Sequence, residues 1–236
     1  MSHIREHHSL LAGVERRLLV AMAQRFPPFI NSDHLSVVAL LAMLAGGAAF
    51  AAISRSVWFA LLFVACLVLN WFGDSLDGTL ARVRNRQRPN YGYYVDHVID
   101  LAGTTALLAG MALSGVMTPA VGFALLAAYL LVASESFLGA HALGVFRLSF
   151  AGIGPTELRI LLAAGAVKVA IDPVIDFAGR RLWLLDVGGA IAIVGLAVTF
   201  VAAAVRNSLA LYRAEPLPRT GAGHAPEGIA LCLPQR

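Results

Sequence analysis

Lysine is almost missing from this chain: Lys168 is the single example in 236 residues. Cysteine is nearly as scarce, with Cys66 inside an apolar run and Cys232 in a polar tail. Two cysteines so placed offer neither a disulfide framework nor the paired spacing of a thiolate metal site. Charged residues make up 14% of the chain, against about a quarter in an ordinary soluble domain. The first thirty residues lack the short apolar core and small-residue cleavage site of a secretory signal, so the later apolar segments are expected to direct membrane insertion.

The chain is 58% hydrophobic, with a mean hydropathy of +0.75. That places it among integral membrane proteins before any motif is considered. The formal net charge is +4 and arginine supplies nearly all of the positive side. No basic stripe with interleaved aromatics appears, so no nucleic-acid partner is expected. Basic loops that orient spans and meet anionic lipid explain the charge better.

Six apolar segments approach the roughly 20 residues that a helix needs to cross a bilayer. They lie near 34–54, 57–80, 92–115, 118–141, 156–172 and 184–212, the fifth being the shortest. An even number of spans puts both termini on one side. That side also collects Arg16, Arg17, Arg25, the Arg82–Arg88 loop, Arg147, Arg159, Arg206 and Arg213, whereas Arg55, Lys168, Arg180 and Arg181 fall opposite. The positive-inside bias therefore predicts cytoplasmic termini. Before the first span, "SLLAGVERRLLVAMAQRF" has helical apolar spacing and reads as an amphipathic helix lying in the interface. The expected fold is an all-α integral membrane protein: an interfacial segment (1–30), a six-span domain (31–212) and a Pro- and Gly-rich, disordered cytoplasmic tail (213–236).

Half of the aspartates sit between Asn70 and Asp100. Asp74 and Asp77 are three apart at the end of the second span; Asp96 and Asp100 are four apart at the start of the third. Each pair shares a helix face, and the short loop between the spans makes an antiparallel hairpin. Four carboxylates are thus expected to converge. Converging carboxylates repel one another unless a cation joins them. Oxygen ligands without cysteine or clustered histidine favour magnesium over zinc. Two such ions would suit a phosphoryl displacement. Gly78, Ala81 and Gly92 leave room beside the carboxylates, and Arg82 offers a fork of donors to a phosphate.

The pattern Asp74-x-x-Asp77-Gly78-x-x-Ala81-Arg82, nine residues, then Gly92-x-x-x-Asp96-x-x-x-Asp100 resembles the signature of the CDP-alcohol phosphotransferase family, with all eight fixed residues in register. The six-span plan extends the resemblance to roughly residues 10–212. The resemblance implies transfer of a substituted phosphate from a CDP-linked donor to an alcohol, with release of CMP. It further implies two divalent ions (Mg2+ or Mn2+), a cytoplasmic active face and a homodimer. Asp74, Asp77 and Asp96 would be metal ligands. Asp100 would sit near the second ion and be the base that takes the hydroxyl proton. Gly78, Ala81, Arg82 and Gly92 would line the CDP site. "NSDHLS" resembles the family's Pro-Asn-x-Leu-Thr stretch, with Asp33 and Ser36 as departures; Ser32 or Asp33 could equally cap the first span.

Outside the motif, Glu135, flanked by Ser134 and Ser136, needs a partner in the site or a hydroxylated substrate. Thr156 is placed to cap the fifth span after Gly154-Pro155. Arg159 either binds a phosphate or bridges to a loop. His97, directly after Asp96, resembles the choline and ethanolamine branch, or faces a neighbouring helix. The leading reading is a phosphatidyl transferase using CDP-diacylglycerol in a bacterial inner membrane, the Arg-, Ala- and Gly-rich composition fitting a GC-rich genome. The alternatives are a CDP-choline/ethanolamine-type enzyme acting on a lipid alcohol and, more distantly, a divalent-cation transporter.

Overall fold

A computed structural model describes residues 12–143, 155–177 and 179–215. Seven helices follow in order: α1 Ala12–Arg25, α2 Ser32–Ala51, α3 Val57–Val83, α4 Pro89–Ala112, α5 Pro119–Leu143, α6 Pro155–Ile171 and α7 Leu184–Ala214. Each of the six apolar segments is therefore one helix. Four of them, α2, α3, α5 and α7, are long and apolar enough to cross a membrane. By the same measure α6 is short, at 17 residues, and α4 is polar in its first half, with Asn90, Tyr91, Tyr93, Tyr94, Asp96, His97 and Asp100.

The all-α expectation needs one correction. Val174–Phe177 (β1) and Arg180–Trp183 (β2) form an antiparallel hairpin between α6 and α7, with Val174 opposite Trp183. Gly179 adopts φ 75° there, a left-handed conformation that costs glycine little. The expected tail falls on residues mostly outside the described ones, as does Arg147.

Local chemistry explains the helix ends. Asn31, in an extended conformation, precedes α2, and its N–H donates to His34 Nδ1 at 3.2 Å. The cap is thus Asn31, and Ser32 and Asp33 lie inside the first turn. Ser56 caps α3, accepting from the Trp58 N–H. At the other end Asn85 takes φ 52°, the Arg86 N–H reaches the Ala81 carbonyl at 2.9 Å and the Asn85 N–H reaches that of Arg82 at 3.2 Å. This is a Schellman closure, with asparagine in the left-handed position. Pro89 then starts α4 at a position where its missing N–H costs nothing. Pro155 does the same for α6, which leaves Thr156 inside the helix rather than capping it.

Helix α2 is the hub, packed along both α3 and α4. The close approach to α4 is built on small residues: a Cβ on Gly47 would meet the backbone carbonyl of Ala106, and one on Gly110 the backbone of Gly47. Such crossings are the usual means by which membrane helices gain dispersion contacts. Against α3, a Cβ on Gly73 would stand 2.6 Å from the Leu35 oxygen. The main core joins Phe50 and Phe63, packed edge-on with ring centroids 4.8 Å apart, to Leu67, Leu107, Met111 and Leu125. A second cluster places Leu19 and Ala23 of α1 on Leu35, Leu76 and Leu80. Hence α1 docks its apolar face on the end of α3 that carries the aspartates.

Charges at the opposite end have structural duties. Asp186 accepts both the N–H and the hydroxyl of Thr118, at 2.7 and 2.6 Å, joining α7 to the start of α5. Lys168 pairs with Asp172 at 2.9 Å.

Candidate active site

The two close helix approaches bring the acidic ends of α3 and α4 together. Carboxylate oxygens of Asp74, Asp96 and Asp100 all lie within 4.8 Å of one another. Oxygens that close repel, and in a partly desolvated setting the arrangement is one that a hard cation joins. The donor set fits magnesium or manganese: oxygen alone, no thiolate, no imidazole nitrogen.

Asp77 is turned elsewhere. Its Oδ2 accepts the Ser36 hydroxyl at 2.6 Å, and its Oδ1 accepts the N–H of Gly78. Three of the four expected carboxylates therefore converge, and the fourth is held against α2. Ser36, at the place where the family resemblance expects threonine, is what holds it.

Arg82 folds back along α3, its Nη2 donating to the Thr79 hydroxyl at 3.0 Å, while Nη1 lies over Gly78, 3.3 Å from where a Cβ would stand. Ala81 borders a cavity of about 400 Å3 whose wall includes Asn31, Asp33, Arg86 and Arg88. Gly92 opens onto space: a Cβ there would meet nothing within 4 Å.

The basic loop is more structured than a lipid-facing run would be. Arg84 donates to three carbonyls of the α1–α2 linker: Ile30 at 2.5 Å, Phe26 at 2.9 Å and Pro27 at 2.9 Å. Arg88 pairs with Asp33 and stacks on the Tyr91 ring at 3.9 Å.

The remaining expected contacts separate. Arg159 reaches the cluster, its Nη2 2.6 Å from Asp74 Oδ2 and its Nε 2.9 Å from Asn70 Oδ1. Buried Asn70 donates in turn to the Ala39 carbonyl at 3.2 Å. Glu135 finds its partner on α7, accepting from Asn207 at 2.7 Å. His97 packs between Tyr93 and Phe137, with Nδ1 2.8 Å from the Tyr93 carbonyl and 3.6 Å from Asp96 Oδ2, so its ring meets α5 at the edge of the cluster. Asn70, which joins Arg159 to the site, is absent from the sequence reading, and Arg84, read there as part of a lipid-facing basic loop, binds the α1–α2 linker instead. Asn70 stands one helical turn before Asp74 in an otherwise apolar run, a spacing that would have signalled it.

A helical bundle whose acidic helix ends can hold a cation, beside glycine and arginine, defines a class of site suited to phosphate chemistry. The sequence profile of the CDP-alcohol phosphatidyltransferase family matches residues 30–201, and the chain belongs to that family. Its members are CDP-alcohol phosphotransferases of phospholipid synthesis. No curated protein sequence matches. Among solved structures, the fold is similar to that of the Mycobacterium tuberculosis phosphatidylinositol phosphate synthase PgsA1, crystallised with CDP-DAG bound. The TM-score is 0.60 at 17% identity, over 81% of this chain and 94% of that one.

Proposed function

We propose that this protein moves the phosphatidyl group of CDP-diacylglycerol to an alcohol hydroxyl, releasing CMP. The observation that carries the reading is the meeting of Asp74, Asp96 and Asp100 within 4.8 Å in a chain of this family. The donor bound in the similar structure supports CDP-diacylglycerol over a CDP-headgroup. A cation path would spread carboxylates through membrane depth, whereas here they gather at one end of α3 and α4.

In this reading Asp74, Asp96 and Asp100 hold the cation, with Asp77 as a fourth carboxylate. A bound Mg2+ or Mn2+ supplies neutralisation of the donor pyrophosphate. The acceptor oxygen bonds to the phosphorus that carries diacylglycerol, and the bond from that phosphorus to the CMP oxygen breaks. Asp100 takes the hydroxyl proton as general base. Gly78 and Ala81 leave space for the donor, Gly92 for its approach from α4, and Arg82 contacts a phosphate. The acceptor lies towards Arg159 and Glu135.

The same reading has six spans, α2 to α7, with α1 along the cytoplasmic interface and both termini cytoplasmic in a bacterial inner membrane. Its domain limits are residues 31–212 for the catalytic body and 213–236 for a tail, and its assembly is a homodimer. The test is CMP release by purified protein given magnesium or manganese, CDP-diacylglycerol or CDP-choline, and a panel of alcohols. Release with CDP-diacylglycerol and one soluble alcohol is expected; no release from any pairing would overturn the assignment.

A further inference from the structure

Arg159 belongs to α6, a different helix from any of the aspartates, and is held from two sides. Asn70 accepts from its Nε at 2.9 Å, and Asp74 accepts from its Nη2 at 2.6 Å. Asn70 is itself fixed by the Ala39 carbonyl of α2. The neutral amide sets the orientation of the guanidinium, and the carboxylate takes its charge. The side chains of Arg159 and Asp74 are 17% and 25% exposed, so water screens this pair incompletely.

We infer that Arg159 is the resident counter-ion of the aspartate cluster and makes divalent-cation binding conditional on a phosphate-bearing ligand. The inference rests on the metal reading given under Proposed function. Three carboxylates within 4.8 Å repel one another, and Arg159 offsets one of the charges through Asp74. A divalent cation placed among the same carboxylates meets a positive charge already bonded to one of its ligands. Like charges a few ångströms apart, shielded in part from solvent, disfavour each other strongly. Arg159 therefore weakens binding of the bare cation. A ligand carrying a pyrophosphate brings negative charge that both the cation and the guanidinium can share. Cation and ligand then bind with positive coupling, and by linkage each raises the affinity of the other by the same factor.

A merely supportive role makes the opposite forecast. If Arg159 only steadied Asp74 in a ligating position, its loss would weaken the cation site, as loss of outer partners of metal ligands generally does. The two roles therefore differ in sign.

The experiment is Mn2+ binding to the purified full chain, followed by electron paramagnetic resonance, with and without CDP. For the wild type, CDP is expected to tighten Mn2+ binding. Arg159→Gln is expected to bind Mn2+ about tenfold more tightly without CDP and to gain little on its addition. Arg159→Lys keeps the charge and is expected to behave like the wild type. Arg159→Met removes the same charge with a side chain of similar reach and no new polar group; it too should tighten Mn2+ binding and serves if Arg159→Gln does not fold. Unchanged or weaker Mn2+ binding in Arg159→Gln, or in Arg159→Met where that variant stands in, overturns the inference. So does Arg159→Lys behaving like Arg159→Gln. Mn2+ binding that survives Asp96→Asn would show that the cation reading itself is wrong, and the counter-ion role would fall with it.

Discussion

The hydroxyl of Ser36 on α2 donates to Asp77 Oδ2 on α3 at 2.6 Å, across 41 residues of sequence. This bond fixes the carboxylate of Asp77 against α2, beside the cluster of the other three. It is available because Gly73 lets α3 approach the Leu35 carbonyl closely. Ser36→Ala removes the donor and leaves Asp77 without that partner. We expect activity to fall about tenfold, matching the loss of one hydrogen bond to a charged group of about 1.5 kcal/mol. Ser36→Thr keeps the hydroxyl and should retain activity. CMP release by the two variants, side by side, checks this.

The α2–α4 crossing positions Asp96 and Asp100 from a distance. Gly110→Ala drives a methyl group into the backbone of Gly47. Overpacking of this kind costs about 1–3 kcal/mol. Thermal unfolding in detergent should show the loss, and activity should fall with it because α4 carries half of the signature aspartates. Gly165→Ala is the control: a Cβ there meets nothing within 4 Å, and no destabilisation is expected.

Arg84 ties the α1–α2 linker to the end of α3 through three carbonyl contacts. Arg84→Ala leaves those carbonyls to find other donors and should cost about 2–4 kcal/mol, since bonds to a charged donor contribute about 1.5–3 kcal/mol each and water replaces part of them. Limited proteolysis between Phe26 and Asn31 should accelerate. Unchanged proteolysis would show that the linker is held by the docking of Leu19 and Ala23 alone.

Acid should loosen the α6–hairpin junction. Lys168 and the N–H of Val174 hold the Asp172 carboxyl below the ordinary carboxylate range. A depressed folded value means that this stabilisation is present above the unfolded value of about 3.9 and is lost as pH falls through the lower folded one. The protection factor of the Val174 amide, which removes the intrinsic pH dependence of exchange, is expected to fall on acidification below pH 4 and to stay steady between pH 5 and 8. High salt should weaken the effect, because the pair is exposed.

Much of this was legible in the chain. Apolar run length located α2 to α7 within a few residues, because a long apolar run satisfies its own backbone polar groups best as a helix. The spacing of Asp74, Asp77, Asp96 and Asp100 indicated a carboxylate cluster through the i, i+3 and i, i+4 rules. What escaped depended on contacts between distant helices. That Asp77 faces Ser36, that Glu135 meets Asn207, and that Arg159 reaches Asp74 are consequences of helix rotation and approach, with Gly73 closing α3 on α2 and Gly139 making room for Asn207 beside α5. The β-hairpin was missed because Val174–Phe177 and Arg180–Trp183 are four residues each, too short for a period to register beside six long apolar runs.

The central claim is that Asp100 and its neighbours perform a phosphatidyl transfer from a CDP-linked donor. The most direct test is magnesium-dependent CMP release from CDP-diacylglycerol, by wild type and by Asp100→Asn of equal thermal stability. The account predicts steady release by the wild type with its acceptor alcohol and a loss of at least about 100-fold in the variant, the scale of a general base. Full activity in Asp100→Asn would contradict it.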